Sequence, residues 1–274
     1  MKDNKYPKIS IVTPSYNQGK FIEEAIKSVL EQNYPNFEHI ILDNCSTDET
    51  IEILQKYPHL VWKSEIDKGQ SDALNKGFCL ATGDIIGWLN ADDRYLPGCF
   101  QEIVQCFNNN PESDIVYGDY RWINEQGQIL QRRREIEFDW FILKYLHILY
   151  IPSTSTFFKQ KIFEEKNFLD ISLKYAMDYE FFLRLVRKGY KFTHINAYLA
   201  DFRWHENNKS SVALKKQIQE QEISLLRHDD FLSRIPPSLQ LIVRNLLKLM
   251  ARAKRYFLKG FRGDYFLQWS KKST

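Results

Sequence analysis

Three apolar runs, each followed at once by a polar turn, punctuate the first hundred residues. Residues 9–17 begin apolar and break at Pro14, residues 37–42 end on Asp43, and residues 85–89 lead into Asn90-Ala91-Asp92-Asp93. Runs of this length between turn residues predict buried strands. The segments between them carry the helical period. Residues 19–32 place Phe21, Ala25, Ile26, Val29 and Leu30 on one face. Ser46 or Thr47 can cap a second helix over 49–56, with Asp48 at its positive end. A third helix covers 70–81 and is closed by Gly83, a fourth runs from Pro97 to about residue 107, and a strand follows at 115–117. Strand and helix in alternation predict an α/β fold with a parallel sheet.

Regularity drops after Gly118. Residues 120–135 predict a hairpin turning at Glu125-Gln126-Gly127, followed by a short strand at 154–158 and a helix near 160–165. Phe181, Phe182, Leu185 and Val186 mark an amphipathic helix over 179–188, and 191–195 and 198–202 read as strands. From residue 211 the pattern is helical to about 231. Pro236-Pro237 interrupts it, and a basic helix resumes to about 258.

Ligands of open α/β sheets bind beyond the carboxyl ends of the strands, and the acidic turns sit at those ends. Asp43 could accept hydrogen bonds from a ribose or a base, or could cap the Asx-rich turn behind it. In Asp67-Lys68-Gly69-Gln70-Ser71-Asp72, Gly69 permits close backbone approach, and Asp72 and Asn75 project one turn apart; an acid-rich helix start is the plainer alternative. Asp92 and Asp93 are harder to dismiss. Adjacent carboxylates in a cleft raise each other's pKa unless a cation shares them, and Mg²⁺ takes one or two carboxylates plus substrate phosphates. An exposed turn is the competing explanation.

Composition narrows the classes. The chain has 274 residues, 43% hydrophobic, and a net charge of +3. Residues 236–274 hold nine Lys/Arg against one acid, so the tail is +8 and the remainder −5. An acidic body argues against nucleic acid as a partner. No stretch reaches the ~20 apolar residues of a membrane span. The polar N-terminus shows no leader pattern and the four cysteines form no C-x-x-C pair, so the expectation is a cytoplasmic protein with free thiols.

The order of these clusters resembles the family 2 glycosyltransferases. Four segments carry the likeness: Ser10-Ile11-Val12-Thr13-Pro14-Ser15-Tyr16-Asn17; Asp43-Asn44-Cys45-Ser46-Thr47-Asp48; Asp67 through Gly77; and Thr82 through Asp93. The resemblance implies a GT-A fold, a Rossmann-like mixed sheet flanked by helices. It covers about residues 8–205, which predicts a catalytic domain over 1–205. Within it, 1–118 would be the nucleotide-binding half and 119–205 the acceptor side, with 206–274 a C-terminal helical extension. It also implies a nucleotide-sugar site formed by Pro14, Tyr16, Asn17, Asp43, Asp67, Lys68, Gly69, Ser71, Asp72, Asn75, Asn90 and Ala91. Mn²⁺ or Mg²⁺ would be held by Asp92 and by His205 of Phe202-Arg203-Trp204-His205. Asp178, in Tyr175-Ala176-Met177-Asp178-Tyr179-Glu180, would be the catalytic base, with Glu180 its local rival. Two departures stand out: Asn90 replaces the first Asp of D-x-D, and Met177 replaces an acid beside the base.

The implied activity is inverting transfer from a nucleotide-sugar, UDP-sugar first among them, to a hydroxyl of a glycan or lipid-linked acceptor in surface polysaccharide assembly. A polyprenyl-phosphate sugar transferase and a catalytically silent nucleotide-sugar-binding scaffold are the alternatives. The basic helix within 236–274 could lie on the inner face of a cell membrane or pack on the domain.

Overall fold

The structure is a computed structural model describing residues 6–146, 149–205, 208 and 214–262. Its first half alternates strand and helix: β1 (Ile9–Ser15), α1 (Ile22–Leu30), β2 (Phe37–Asp43), α2 (Thr50–Gln55), β3 (Leu60–Ser64), α3 (Gln70–Leu80) and β4 (Ile85–Trp88). These strands pair in parallel in the order β3-β2-β1-β4. The second half holds β5 (Arg94–Tyr95), α4 (Cys99–Asn109), β6 (Ile115–Ile123), β7 (Ile129–Arg133), α5 (Trp140–Tyr145), β8 (Thr156–Lys159), α6 (Lys161–Glu164), α7 (Met177–Arg187) and β9 (Phe192–Arg203). β8 joins β4 to β6 by antiparallel pairing, and β6 runs parallel to β9, giving one mixed sheet of nine strands.

Both faces of the sheet are covered, which is why β1 is buried almost throughout, its Ser10, Thr13 and Ser15 included. Ile9 and Ile11 pack beneath α1 and α4, while Val12 faces α3 on the other side. Gly77 lets α3 sit close: a Cβ there would lie 2.3 Å from Val12 Cγ1.

β2 and β4 lie on opposite sides of β1, so the chain reverses its direction of growth there, and the loops after β1 and β4 splay apart to open a crevice. Pro14 does not end β1, contrary to expectation. The Val12 carbonyl accepts from Leu89 on the β4 side and the Ser15 carbonyl from Asn44 on the β2 side. Alternate residues face opposite neighbours, so Pro14 faces the β4 side beyond the end of β4, where its missing N–H costs no ladder bond.

The expected strands at 191–195 and 198–202 form a single strand, β9, whose register against β6 shifts on either side of Asp119. The sequence pattern gave no sign of β3, β5 or α5. β3 is a half-exposed edge, β5 has two residues, and α5 is under two turns long. The four cysteines are free.

Past β9, α8 (Leu214–His228), α9 (Asp230–Ser233) and α10 (Pro237–Phe261) pack back on the body. Leu225, Leu232 and Ala251 share a core cluster with residues of α5 and α7. Buried Glu135 receives Arg255 at 2.6 Å and Lys259 at 3.3 Å, and Lys144 bridges Asp229 at 2.8 Å. Residues 206–207, 209–213 and 263–274 of the expected extension lie outside the described residues. No described helix is long and apolar enough to cross a membrane.

Candidate active site

The crevice at the β1/β4 switch point is a cleft of about 450 Å³. The end of β1 and the loop after it contribute Pro14 and Tyr16, the turn before α3 Asp67 and Gly69, and the loop after β4 Asn90, Ala91 and Asp92. The opposite wall carries Tyr175, Asp178, Phe202 and His205, together with Gln217 from α8.

The loop after β4 is held by a network of buried polar groups. Asn90 uses both ends of its amide: Oδ1 accepts from Trp88 and Gln70, both at 2.9 Å, and Nδ2 donates to Asp93 at 3.0 Å. Asp93 is buried, accepting also from Thr154 and from the Arg203 N–H at 2.9 Å. Burial, and then the Asp92 carboxylate beside it, push the Asp93 carboxyl well up. Arg203 is fully buried. Its guanidinium donates to the carbonyl of Asp92 at 2.8 Å, to that of Glu125 at 2.8 Å and to the Glu24 carboxylate at 2.7 Å. A charge this deep persists only when its donors are met, and meeting them anchors the Asp92 backbone at the cleft.

Asp92 faces the cleft, and its Oδ2 lies 2.9 Å from His205 Nε2. Among the described residues no group of three or more His, Cys, Asp or Glu converges into a closed metal cage. One carboxylate and one imidazole suit an open site, where a hard cation takes its remaining ligands from substrate phosphates. The donor set therefore fits Mn²⁺ or Mg²⁺ bound together with a diphosphate.

Asp178 and Glu180 have different surroundings. Asp178 lies in the cleft wall at the start of α7, with Oδ1 accepting the Tyr179 N–H at 2.8 Å. Burial pushes its carboxyl up to about 6. Glu180 points away, to Arg184 at 2.8 Å and His228 at 2.9 Å. Burial opposes its charge, but His228 and Arg184 outweigh that and hold it down at about 2. Glu220 of α8 accepts the backbone N–H groups of Lys174 at 3.1 Å, Tyr175 at 2.7 Å and Ala176 at 2.9 Å, pinning the turn that leads to Asp178.

Several of the expected site residues fall outside the cleft lining. Asp43 is buried, accepting from the Ser46 N–H and hydroxyl and from Ser64 at 2.7 Å. Asn17, in the left-handed region at φ 49°, ties the β1 loop to Ser46 and Thr47. Ser71 reaches the Leu173 carbonyl and Met177, and Asn75 exchanges two hydrogen bonds with Leu169. Asp72 accepts from Lys68 N–H at 3.1 Å, and the Lys68 side chain is exposed. Arg203, Gln217 and Glu220 had not been picked out. Arg203 sat unremarked inside the Phe202–His205 element, and the other two come from a helix that carries no local sign of a site.

The architecture matches solved structures of one class. TarS of S. aureus, residues 1–349 in complex with UDP-GlcNAc, aligns with a TM-score of 0.64 at 19% identity, over 85% of this chain and 69% of that one. The mannosyltransferase PcManGT from Pyrobaculum calidifontis, in complex with GDP-Man and Mn²⁺, gives 0.61 at 17% identity, over 91% and 74%. The fold is the GT-A fold of nucleotide-sugar transferases. The family described as Glycosyl transferase family 2 matches residues 10–184, and the chain belongs to it and is a glycosyltransferase. An uncharacterized glycosyltransferase of Rickettsia typhi is 31% identical over 232 residues, 81% of this chain and 72% of the relative. TuaG of Bacillus subtilis, a candidate teichuronic acid biosynthesis glycosyltransferase, is 41% identical over 98 residues, 34% of this chain and 38% of the relative.

Proposed function

We propose that this chain is an inverting, divalent-cation-dependent glycosyltransferase. It moves a sugar from a nucleotide-sugar, UDP-linked in the first instance, to a hydroxyl of a glycan or lipid-linked glycan in cell-surface polysaccharide assembly. The observation that carries the reading is the contrast between Asp178 and Glu180. Asp178 faces the cleft with a raised pKa, while Glu180 is bound to Arg184 and His228.

Pro14, Tyr16, Asp67 and Gly69 line the nucleotide side, and Asp92 and His205 would hold Mn²⁺ or Mg²⁺ with the diphosphate. A cation bound there supplies charge neutralisation to the departing nucleoside diphosphate. On the opposite wall, Asp178 takes the proton of the acceptor hydroxyl as that oxygen attacks the anomeric carbon. With Asp178 acting only as base, the acceptor oxygen displaces the nucleoside diphosphate in one in-line step, which inverts the configuration. The likeness to TuaG supports a surface-polymer acceptor.

The test is a screen of UDP-, GDP- and dTDP-sugars by thermal shift with Mn²⁺, followed by transfer with the donor that stabilises most. Inversion is expected at the anomeric centre of the product, read from its proton coupling. Retention would overturn the single-base mechanism.

A further inference from the structure

The helix α10 has two unlike faces. One is fastened to the body: Ala251 is fully buried, Val243, Leu247 and Leu258 pack on the main core cluster, and Arg244 bridges Glu222 at 3.1 Å. The other is apolar and uncovered. Leu246, Leu249, Phe257 and Phe261 are 55–78% exposed, and Leu239, Ile242 and Met250 accompany them. At 100° per residue these side chains form one continuous stripe along a 25-residue helix. Soluble monomers rarely expose an apolar patch larger than roughly 300–600 Å².

We propose that this stripe of α10 is a docking surface for an anionic lipid membrane, on which the protein lies without crossing. Charge selects this occupant. The helix contains no Asp or Glu. Arg252 is exposed and Lys248 half-exposed, and among the described residues neither forms an ion pair. The chain continues past it with Lys271, Lys272, two aromatics and Trp269, against one acid. A second copy docking by two-fold symmetry would bring the same acid-free face and set like charge against like. Arg252 flanks the stripe at its Leu249 edge, where its long side chain reaches anionic headgroups while the acyl boundary takes the Leu, Met and Phe side chains. The proposal is independent of the catalytic reading, since α10 lines no part of the cleft.

The experiment is co-sedimentation of the full chain with phosphatidylglycerol/phosphatidylcholine vesicles and with pure phosphatidylcholine vesicles. The expected result is retention on the anionic vesicles, weakened by added salt. The variant Leu246→Glu/Leu249→Glu/Phe257→Glu should bind them roughly a hundredfold less. All three positions are exposed, so its melting temperature and nucleotide-sugar binding should match wild type. Absence of vesicle binding, or undiminished binding by the triple variant, overturns the proposal. So does a wild-type dimer in light scattering that the variant reduces to monomer, which would assign the stripe to a second copy.

Discussion

The Nε2 of His228 lies 2.9 Å from Oε1 of Glu180, a contact between the C-terminal extension and the first turn of α7. It occupies one of the two acids in that turn and leaves Asp178 as the one facing the cleft. Asp178→Asn should therefore keep donor affinity near wild type while the transfer rate falls by roughly 10²–10⁴. Glu180→Gln should leave the rate largely intact and instead lower stability by on the order of 1–3 kcal/mol, because it weakens a buried ion pair. Isothermal calorimetry and initial rates measure the two effects. An active Asp178→Asn enzyme would favour an acceptor phosphate, which needs no base.

The same pair predicts opposite dependences on pH. The Asp178 carboxyl is raised to about 6 in the fold, so the native state binds more protons than the unfolded chain between about pH 4 and 6, and stability falls as pH rises through that window. Asp178→Asn removes the cost of ionisation. It should be more stable than wild type at pH 8, by on the order of 1–2 kcal/mol after allowance for solvent in the cleft, with the gap closing by pH 4. Glu180 has the reverse sign: its contribution is full at neutral pH and is lost as pH falls towards 2. Thermal melts from pH 2 to 8 would show both, and an Asp178→Asn variant less stable than wild type at pH 8 would contradict the first.

Asp92→Ala should abolish divalent-cation-dependent transfer and weaken Mn²⁺ binding, because of the pair proposed to hold the cation only His205 would remain. Asn90→Ala should leave Mn²⁺ affinity closer to wild type but destabilise the protein by about 1–3 kcal/mol, since Trp88, Gln70 and Asp93 each lose a partner there. Calorimetry with Mn²⁺ and a denaturant melt separate the two. Full wild-type activity in EDTA would remove the cation from the mechanism.

Much of this was legible because the chemistry sits where periodicity changes. The strands ending at Asp43 and Trp88 are buried on both faces, and their apolar runs announce the acidic turns behind them. Motif position did not reveal direction. Asp43, Asn17, Ser71 and Asn75 fall inside the motif segments yet spend their hydrogen bonds on shaping loops, which only tertiary contacts disclose. Two-residue β5 and edge-strand β3 carried too little alternation to register. Gln217 and Glu220 reach the site from a helix about 40 residues beyond Asp178, so nothing local marked them.

Glu220 supplies the last prediction. Its carboxylate gathers three successive N–H groups of 174–176, the residues immediately before the helix that starts with Met177-Asp178. Orphan donors at a helix start cost about 1–3 kcal/mol when left unmet, so Glu220→Ala should let this turn relax and carry Asp178 off line. The expected result is a fall in kcat of about tenfold or more with little change in donor KM, since a 1 Å misplacement of a reacting group costs up to about a hundredfold. Glu220→Gln keeps an acceptor oxygen and should recover part of the rate. Glu220 is also among the charges that raise the Asp178 carboxyl, after burial. Removing it should therefore move the acid limb of the rate profile to lower pH in both variants. Loss of stability alone would shift the melting temperature and leave that limb in place. An unchanged kcat together with an unmoved limb would show that α8 merely packs against α7.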